Sequence, residues 1–194
     1  TVTDMEVGVP YTVYVKAFYS DGYTTDYVEA DSTVTAYGPA DPPTNIVAFG
    51  HDGQATVQWD IPAYDGESAI TGYEATANPS GQTCTVAANT CMVTGLTNGT
   101  SYTFTVVAQN VAGNSTPSGE SNHTTPTAAG FTITETNNNT QVGEANSTDT
   151  LHVVLNSRPI TDVVLSLVSS DTGEATVTST LTFTPANWDT PQTV

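Results

Sequence analysis

The sequence predicts an all-β chain of tandem antiparallel β-sandwiches, and three observations carry that prediction. Thr is the commonest residue, and Thr, Val and Tyr favour strands. No long segment rich in Ala, Leu, Glu and Lys is present to form helices. Finally, "VGVPYTVYVKAFYSDG" (Val7 to Gly22) aligns without gaps on "NGTSYTFTVVAQNVAG" (Asn98 to Gly113), an offset of 91 residues. A period of that length marks whole domains in tandem and excludes a solenoid.

The repeated segment defines the first element. In both copies a turn glycine precedes a tyrosine that opens an alternating run, and Met5 falls on Leu96. Tyr11, Val13, Val15 and Ala17 share one face, as do Tyr102, Phe104, Val106 and Ala108. Such period-2 alternation, with polar residues between, describes a half-buried strand.

The complete copy is expected over residues 39–127. "PPTNIVAFG" supplies a first strand behind a rigid Pro-Pro linker, and "ATVQWDIP" a second with Val57 and Trp59 on one face. "AITGYEATANP" is the third, with Ile70 and Tyr73. "TCTVA" and "TCMVTGL" are expected to form a hairpin across Ala87–Asn89, followed by the Tyr102 strand and a final "SNHTTP" strand. Seven short strands with regular turn signals make a sandwich.

These residues resemble a fibronectin type III domain over the whole segment. The likeness rests on Trp59, on "SAITGYEATA", and on "GLTNGTSYTFTVVAQNVAGNSTPS". It implies an immunoglobulin-like sandwich with Trp59, Tyr73, Leu96 and Tyr102 in its core. It further implies that the Tyr102 phenol oxygen bonds back to the backbone upstream. Residues 1–38 then resemble the last strands of a preceding domain of the same type, with Tyr11 at the tyrosine position and the front half missing.

Cys84 and Cys91 are the only cysteines. Zinc needs further ligands, and His51, His123 and His152 stand at no ligand spacing from them. A redox pair favours Cys-x-x-Cys, whereas here six residues intervene. A disulfide staple is therefore preferred over a redox pair or half a metal site. It implies an oxidising compartment.

From residue 128 to 194 the pattern changes. "FTITET", "TLHVVLN", "TDVVLSLVSSD", "EATVTS" and "LTFTPANW" read as strands without a tyrosine corner. Leu151, Val153 and Leu155 alternate inward, as do Val163, Leu165 and Leu167, then Leu181 and Phe183. The segment resembles an incomplete Calx-β-like repeat, most specifically in "LTFTPANWDTPQTV". The resemblance implies calcium held by loop carboxylates, and only Glu144 and Asp171 fall where its motif places acids. The family's later Asp-Tyr pair is replaced by "TVTSTLTF", and its terminal acidic cluster would follow Val194. Calcium takes about six to eight oxygens, so two acids alone are expected to hold it weakly or not at all. The bland alternative is that both are solvated loop residues.

Composition narrows the function classes. There are 20 acidic residues against two basic ones, Lys16 and Arg158, for a formal charge of −18. That surface repels phosphate backbones, so neither nucleic acid nor an anionic membrane is an expected partner. No run approaches the roughly 18 apolar residues of a membrane span. No Gly-x-Ser-x-Gly, His-Glu-x-x-His, P-loop or Gly-x-Gly-x-x-Gly motif occurs. "SGESNH" (Ser118 to His123) sets a serine near a histidine but lacks the second glycine of a nucleophile elbow. Tyr14, Phe18 and Tyr23 are expected to be exposed, as a sticky patch or as a face that a neighbour covers.

The chain opens on "TVTDMEV" and closes on "TPQTV", inside strand-like patterns, and reads as a piece of a longer protein. The expected function is a non-catalytic spacer or adhesion region of a large secreted or cell-surface multidomain protein. Its expected partners are neighbouring domains of the same chain, and an extracellular protein or glycan. The alternative is a set of accessory modules of an extracellular, polysaccharide-degrading enzyme whose catalytic domain lies elsewhere.

Overall fold

The computed structural model describes residues 4–138, 142, 147–170, 172–173, 175–177 and 180–194. All its strands pair antiparallel. The alternating run at Tyr11 becomes β1 (Pro10–Val15), which pairs with β2 (Val28–Thr35). Tyr11 faces Val34 and Val15 faces Val28, with a bulge between Thr12 and Tyr14. Tyr11, expected in a core, is only half-buried, and Val15 is 63% exposed. The reason is simple: β1 and β2 form a two-stranded sheet of their own.

The middle segment supplies β3 (Thr44–His51), β4 (Gln54–Asp60), β5 (Gly72–Asn78), β6 (Thr83–Val86), β7 (Thr90–Thr94), β8 (Thr103–Asn110) and β9 (Gly113–Asn114). They divide into sheets of order β3-β4-β7 and β6-β5-β8-β9. Alternation sends Val57 and Trp59 inward from one sheet, and Tyr73, Ala75, Phe104, Val106 and Ala108 inward from the other. Trp59 and Tyr73 meet across the sandwich with ring centroids 5.4 Å apart. Each large side chain so buried contributes about 1.5–3 kcal/mol. Burial also raises the Tyr73 phenol pKa above its ordinary value. Trp59, Tyr73, Leu96 and Tyr102 are all core residues.

Two expectations for this segment need correction. Cys84 and Cys91 are disulfide-bonded, but β6 and β7 are not a hydrogen-bonded hairpin. β6 pairs with β5, placing Cys84 opposite Ala75. β7 pairs with β4, placing Cys91 opposite Val57. The chain crosses from one sheet to the other between the cysteines, so the bond ties the two sheets at their edges. The second correction concerns "SNHTTP", which is not a regular strand.

Serines lash the segment after β9 onto β8. The Ser115 N–H donates to Ala108 O (2.8 Å), and the Ala108 N–H donates to Ser115 Oγ (2.9 Å). Ser118 does the same on Val106 (2.9 and 2.9 Å), and Ser121 on Phe104 (2.9 and 3.1 Å). A backbone pair between Thr124 and Tyr102 completes the series. The edge advances three residues for every two of β8, and each hydroxyl replaces a carbonyl that has turned away. Each Oγ then donates to the carbonyl of the next residue. Such an edge offers no regular row of groups for another strand to join.

The third segment has sheets of order β10-β11-β14 and β12-β13, from β10 (Phe131–Glu135), β11 (Leu151–Leu155), β12 (Val163–Ser166), β13 (Thr180–Phe183) and β14 (Gln192–Thr193). Val153, Leu155, Leu181 and Phe183 are its buried core, with Leu151, Val163, Leu165 and Leu167 packed against it. The alternation read from the sequence is therefore the observed one. The expected "EATVTS" strand is not seen among the described residues.

Two predictions follow from these ties. Replacing both Cys84 and Cys91 by Ser should cost about 2.5 kcal/mol, the entropy of closing a loop of about eight residues. Chemical denaturation under non-reducing conditions measures it, and an unchanged midpoint would show that the staple carries no stability. Ser118→Ala leaves the buried Val106 N–H without its acceptor and should cost about 1–3 kcal/mol. Ser→Ala at an exposed position such as Ser20 is the control, expected to change stability by less than about 0.5 kcal/mol.

Candidate functional site

Among the described residues, polar groups converge at each of the two ends of the middle sandwich. At the end that receives residue 38, Asn110 closes β8 with its amide buried. Its Nδ2 donates to Gly38 O (2.8 Å) and Asp65 O (2.7 Å), and its Oδ1 accepts from the Ala112 N–H (2.9 Å). The Gly38 N–H donates to Gly66 O (2.9 Å). Gly38, Ala40 and Pro43 are buried, so the linker "GPADPP" is seated in the sandwich as well as stiffened by its prolines. Gly66 has φ +78°, and a Cβ there would lie 2.0 Å from Gly38 O. Only glycine fits. Val7 of the first segment packs on Gly38, and the Glu67 side chain lies against Gly8.

The opposite end gathers the β3–β4 turn and the loop before β8. Asn98 Nδ2 donates to Asp52 Oδ1 (2.7 Å), and Asn98 Oδ1 accepts from the Gly53 N–H (2.9 Å). The Asn98 amide, with the Ala129 backbone N–H, holds the Asp52 carboxyl below its ordinary pKa. His51 is buried, with Nδ1 2.8 Å from Arg158 O and Nε2 2.9 Å from Thr56 Oγ1. The Arg158 guanidinium lies over the Phe49 ring, 4.1 Å from its centroid. These groups grip neighbouring segments of the same chain.

Tyr102 is the corner expected of it. Its Oη accepts from the Thr97 N–H (3.1 Å), and that bond holds the phenol pKa below its ordinary value. Tyr11 repeats the bond, accepting from the Glu6 N–H (2.9 Å) at the same separation of five residues. Gly8 N to Ala36 O (3.1 Å) and Gly99 N to Pro126 O (2.8 Å) likewise correspond. Even the serine edge has an echo, since Thr25 bonds Ala17 through both N–H and Oγ1 (3.1 and 3.0 Å), as Ser115 does Ala108. The repeat is thus one of hydrogen bonds as well as letters.

The other candidates disperse. In "SGESNH", both serine hydroxyls belong to the β8 edge, and His123 Nδ1 lies 3.3 Å from Ser101 Oγ. Glu144 and Asp171 lie outside the described residues, and among the described residues no three His, Cys, Asp or Glu side chains gather to hold a metal. Tyr14, Phe18 and Tyr23 are exposed on the first segment, where Lys16 Nζ lies 5.6 Å from the Phe18 ring and 5.3 Å from Tyr27. Sequence reading missed Asn110, His51 and Arg158. No local pattern marks an asparagine that serves carbonyls 45 and 72 residues away.

The family model described as "Fibronectin type III domain" matches residues 41–124, the middle sandwich. Among solved structures, domains A168-A170 from titin match at 28% identity and TM-score 0.44, covering 52% of this chain and 37% of that one. Titin module A71 from human cardiac muscle matches at 32% identity and TM-score 0.39, covering 45% of this chain and 92% of that module. The chicken CNTN1 FN1-FN3 domains match at 22% identity and TM-score 0.43, with 63% of this chain and 42% of that one covered. The chain therefore spans well under half of the titin A168-A170 and CNTN1 structures.

The seated linker can be tested at Gly66. Gly66→Ala should lower the melting temperature by more than Gly99→Ala. Both glycines have positive φ, an alanine cost of roughly 1–2 kcal/mol. Only Gly66 also meets a backbone oxygen, since a Cβ at Gly99 has nothing within 4 Å. Equal losses would show that the linker is free to move aside.

Proposed function

We propose that this chain is a non-catalytic run of β-sandwich modules that spaces, presents or adheres within a large secreted or cell-surface protein. One observation carries the reading: the polar groups at both ends of the middle sandwich bind adjoining segments of the same chain. Fibronectin type III domains are modular units of multidomain proteins, and the match over residues 41–124 supports such a role. Residues 1–38 are assigned to a second domain of that type, supported by the corner bonds of Tyr11 and Tyr102. Residues 128–194 are assigned to a Calx-β-like sandwich, supported by the alternation of β11 and β13 alone. An extracellular setting is supported by the Cys84–Cys91 bond and the acidic, lysine-poor surface. Its partners are neighbouring domains and an extracellular protein or glycan, and the proposal includes no cofactor.

The test is to sequence the reading frame on both sides of this chain. A long array of similar modules ending in a surface anchor is the expected result. A catalytic domain in the same frame would overturn the proposal and make these modules an enzyme's accessories.

A further inference from the structure

We propose that Arg158 is a post that fixes the direction in which the third segment leaves the middle sandwich. Arg158 is one of only two cations in a chain with 20 acidic residues. Its guanidinium lies over an aromatic ring, and the residue is half-buried. The guanidinium carbon is 4.1 Å from the Phe49 ring centroid, a stacking distance for a planar cation. Its Nε donates to Pro185 O (3.1 Å), which ties the side chain to its own segment just beyond β13. Its carbonyl lies 2.8 Å from His51 Nδ1. Phe49 and His51 are two residues apart on β3 and grip the same residue, one by its side chain and the other by its backbone.

The histidine is itself held from both sides. A carbonyl oxygen only accepts, so the proton must sit on Nδ1. In the neutral ring Nε2 is then an acceptor, and Thr56 Oγ1 on β4 donates to it at 2.9 Å. The ring is 5% exposed. The sheet of the middle sandwich thus fixes the imidazole, and the imidazole fixes the Arg158 backbone.

A second attachment lies nearby. The Ala129 N–H in the linker acts on the Asp52 carboxylate, next to His51 in sequence, and both residues line one pocket. A linker alone would let the third segment swing and rotate about its bonds. The Arg158 stack, the His51 bond and this linker contact together remove that rotation. The space around the post says that broad packing does not do so instead. A pocket of about 340 Å³ is lined by Gly50, Thr125, Trp188 and Asp189. Another of about 280 Å³ is lined by Gln54, Phe131 and Ile160, and Arg158 borders both. The joint is open around the post, so its few contacts set the angle.

The inference leans on the spacer reading for its purpose only. A catalytic domain found elsewhere in the reading frame would overturn that reading and leave the geometry of the joint to its own test. That test is residual dipolar coupling on the labelled 194-residue chain in a dilute aligning medium. Couplings from residues 41–127 and from β10 to β14 should fit one alignment tensor in the parent chain. Arg158→Ala should split them into two tensors of different magnitude, with amide shifts in both cores unchanged. Arg158→Lys keeps the charge but loses the planar face and the Nε donor, and it should split them as well. Should Arg158→Ala unfold the third segment, Phe49→Ala removes the stack from the other side and should give the same split. Two tensors in the parent chain, or a single unchanged tensor in Arg158→Ala or Phe49→Ala, would overturn the proposal. Retention of one tensor by Arg158→Lys would show that charge holds the joint, and would overturn the stacking account.

Discussion

The hydrogen bonding of β8 is the constraint on which the rest of this structure depends. Phe104, Val106 and Ala108 point from it into the core with no exposed surface. A strand so placed must have its backbone groups paired on both sides, because an unpaired buried N–H costs about as much as a lost hydrogen bond. β5 supplies one side as a regular ladder. The other side is met by an edge that pairs at every third residue, with serine hydroxyls standing in for turned-away carbonyls. The two ends of β8 are equally committed. Tyr102 anchors its start to the Thr97 backbone, and Asn110 at its end seats the linker from the first segment.

The same logic relates the corner to the joints. A sandwich whose central strand is fully paired is stiff, and stiffness is what makes a module useful as a spacer. Stiffness within modules is lost to function if the connections between them swing freely. Here both ends of the middle sandwich present side chains to the adjoining chain: Asn110 to Gly38 and Asp65 at one end, His51 and Phe49 to Arg158 at the other. The disulfide acts in the orthogonal direction, since Cys84 and Cys91 belong to different sheets.

The first segment shows how far local hydrogen bonding reaches without a second sheet packed on it. It repeats the tyrosine bond, the glycine bond and the double bond from a hydroxyl residue, yet Val15 and Tyr14 are largely exposed. Local hydrogen bonds need only neighbouring sequence. Burial needs a second sheet, and among the described residues β1 and β2 have none.

What the sequence by itself determined follows from that distinction. The periods at Tyr102, Leu151 and Leu181 marked which residues are strands and which faces turn inward, because alternation is a property of the backbone, whereas at Tyr11 the period marked the strand but not its burial. The 91-residue offset made the repeat visible, and Trp59, Tyr73, Leu96 and Tyr102 were legible as core from the resemblance to a fibronectin type III domain. The serine series at 115, 118 and 121 was also in the letters, but its period of three matches neither strand nor helix. Only the tertiary structure decided that Cys84 and Cys91 bridge two sheets, since a short turn and a crossover between sheets leave the same spacing. Only it decided that Asn110, His51 and Arg158 hold the joints. Their partners lie 72 and 107 residues away, and a contact of that range is set by how the sheets stack, which no local pattern encodes.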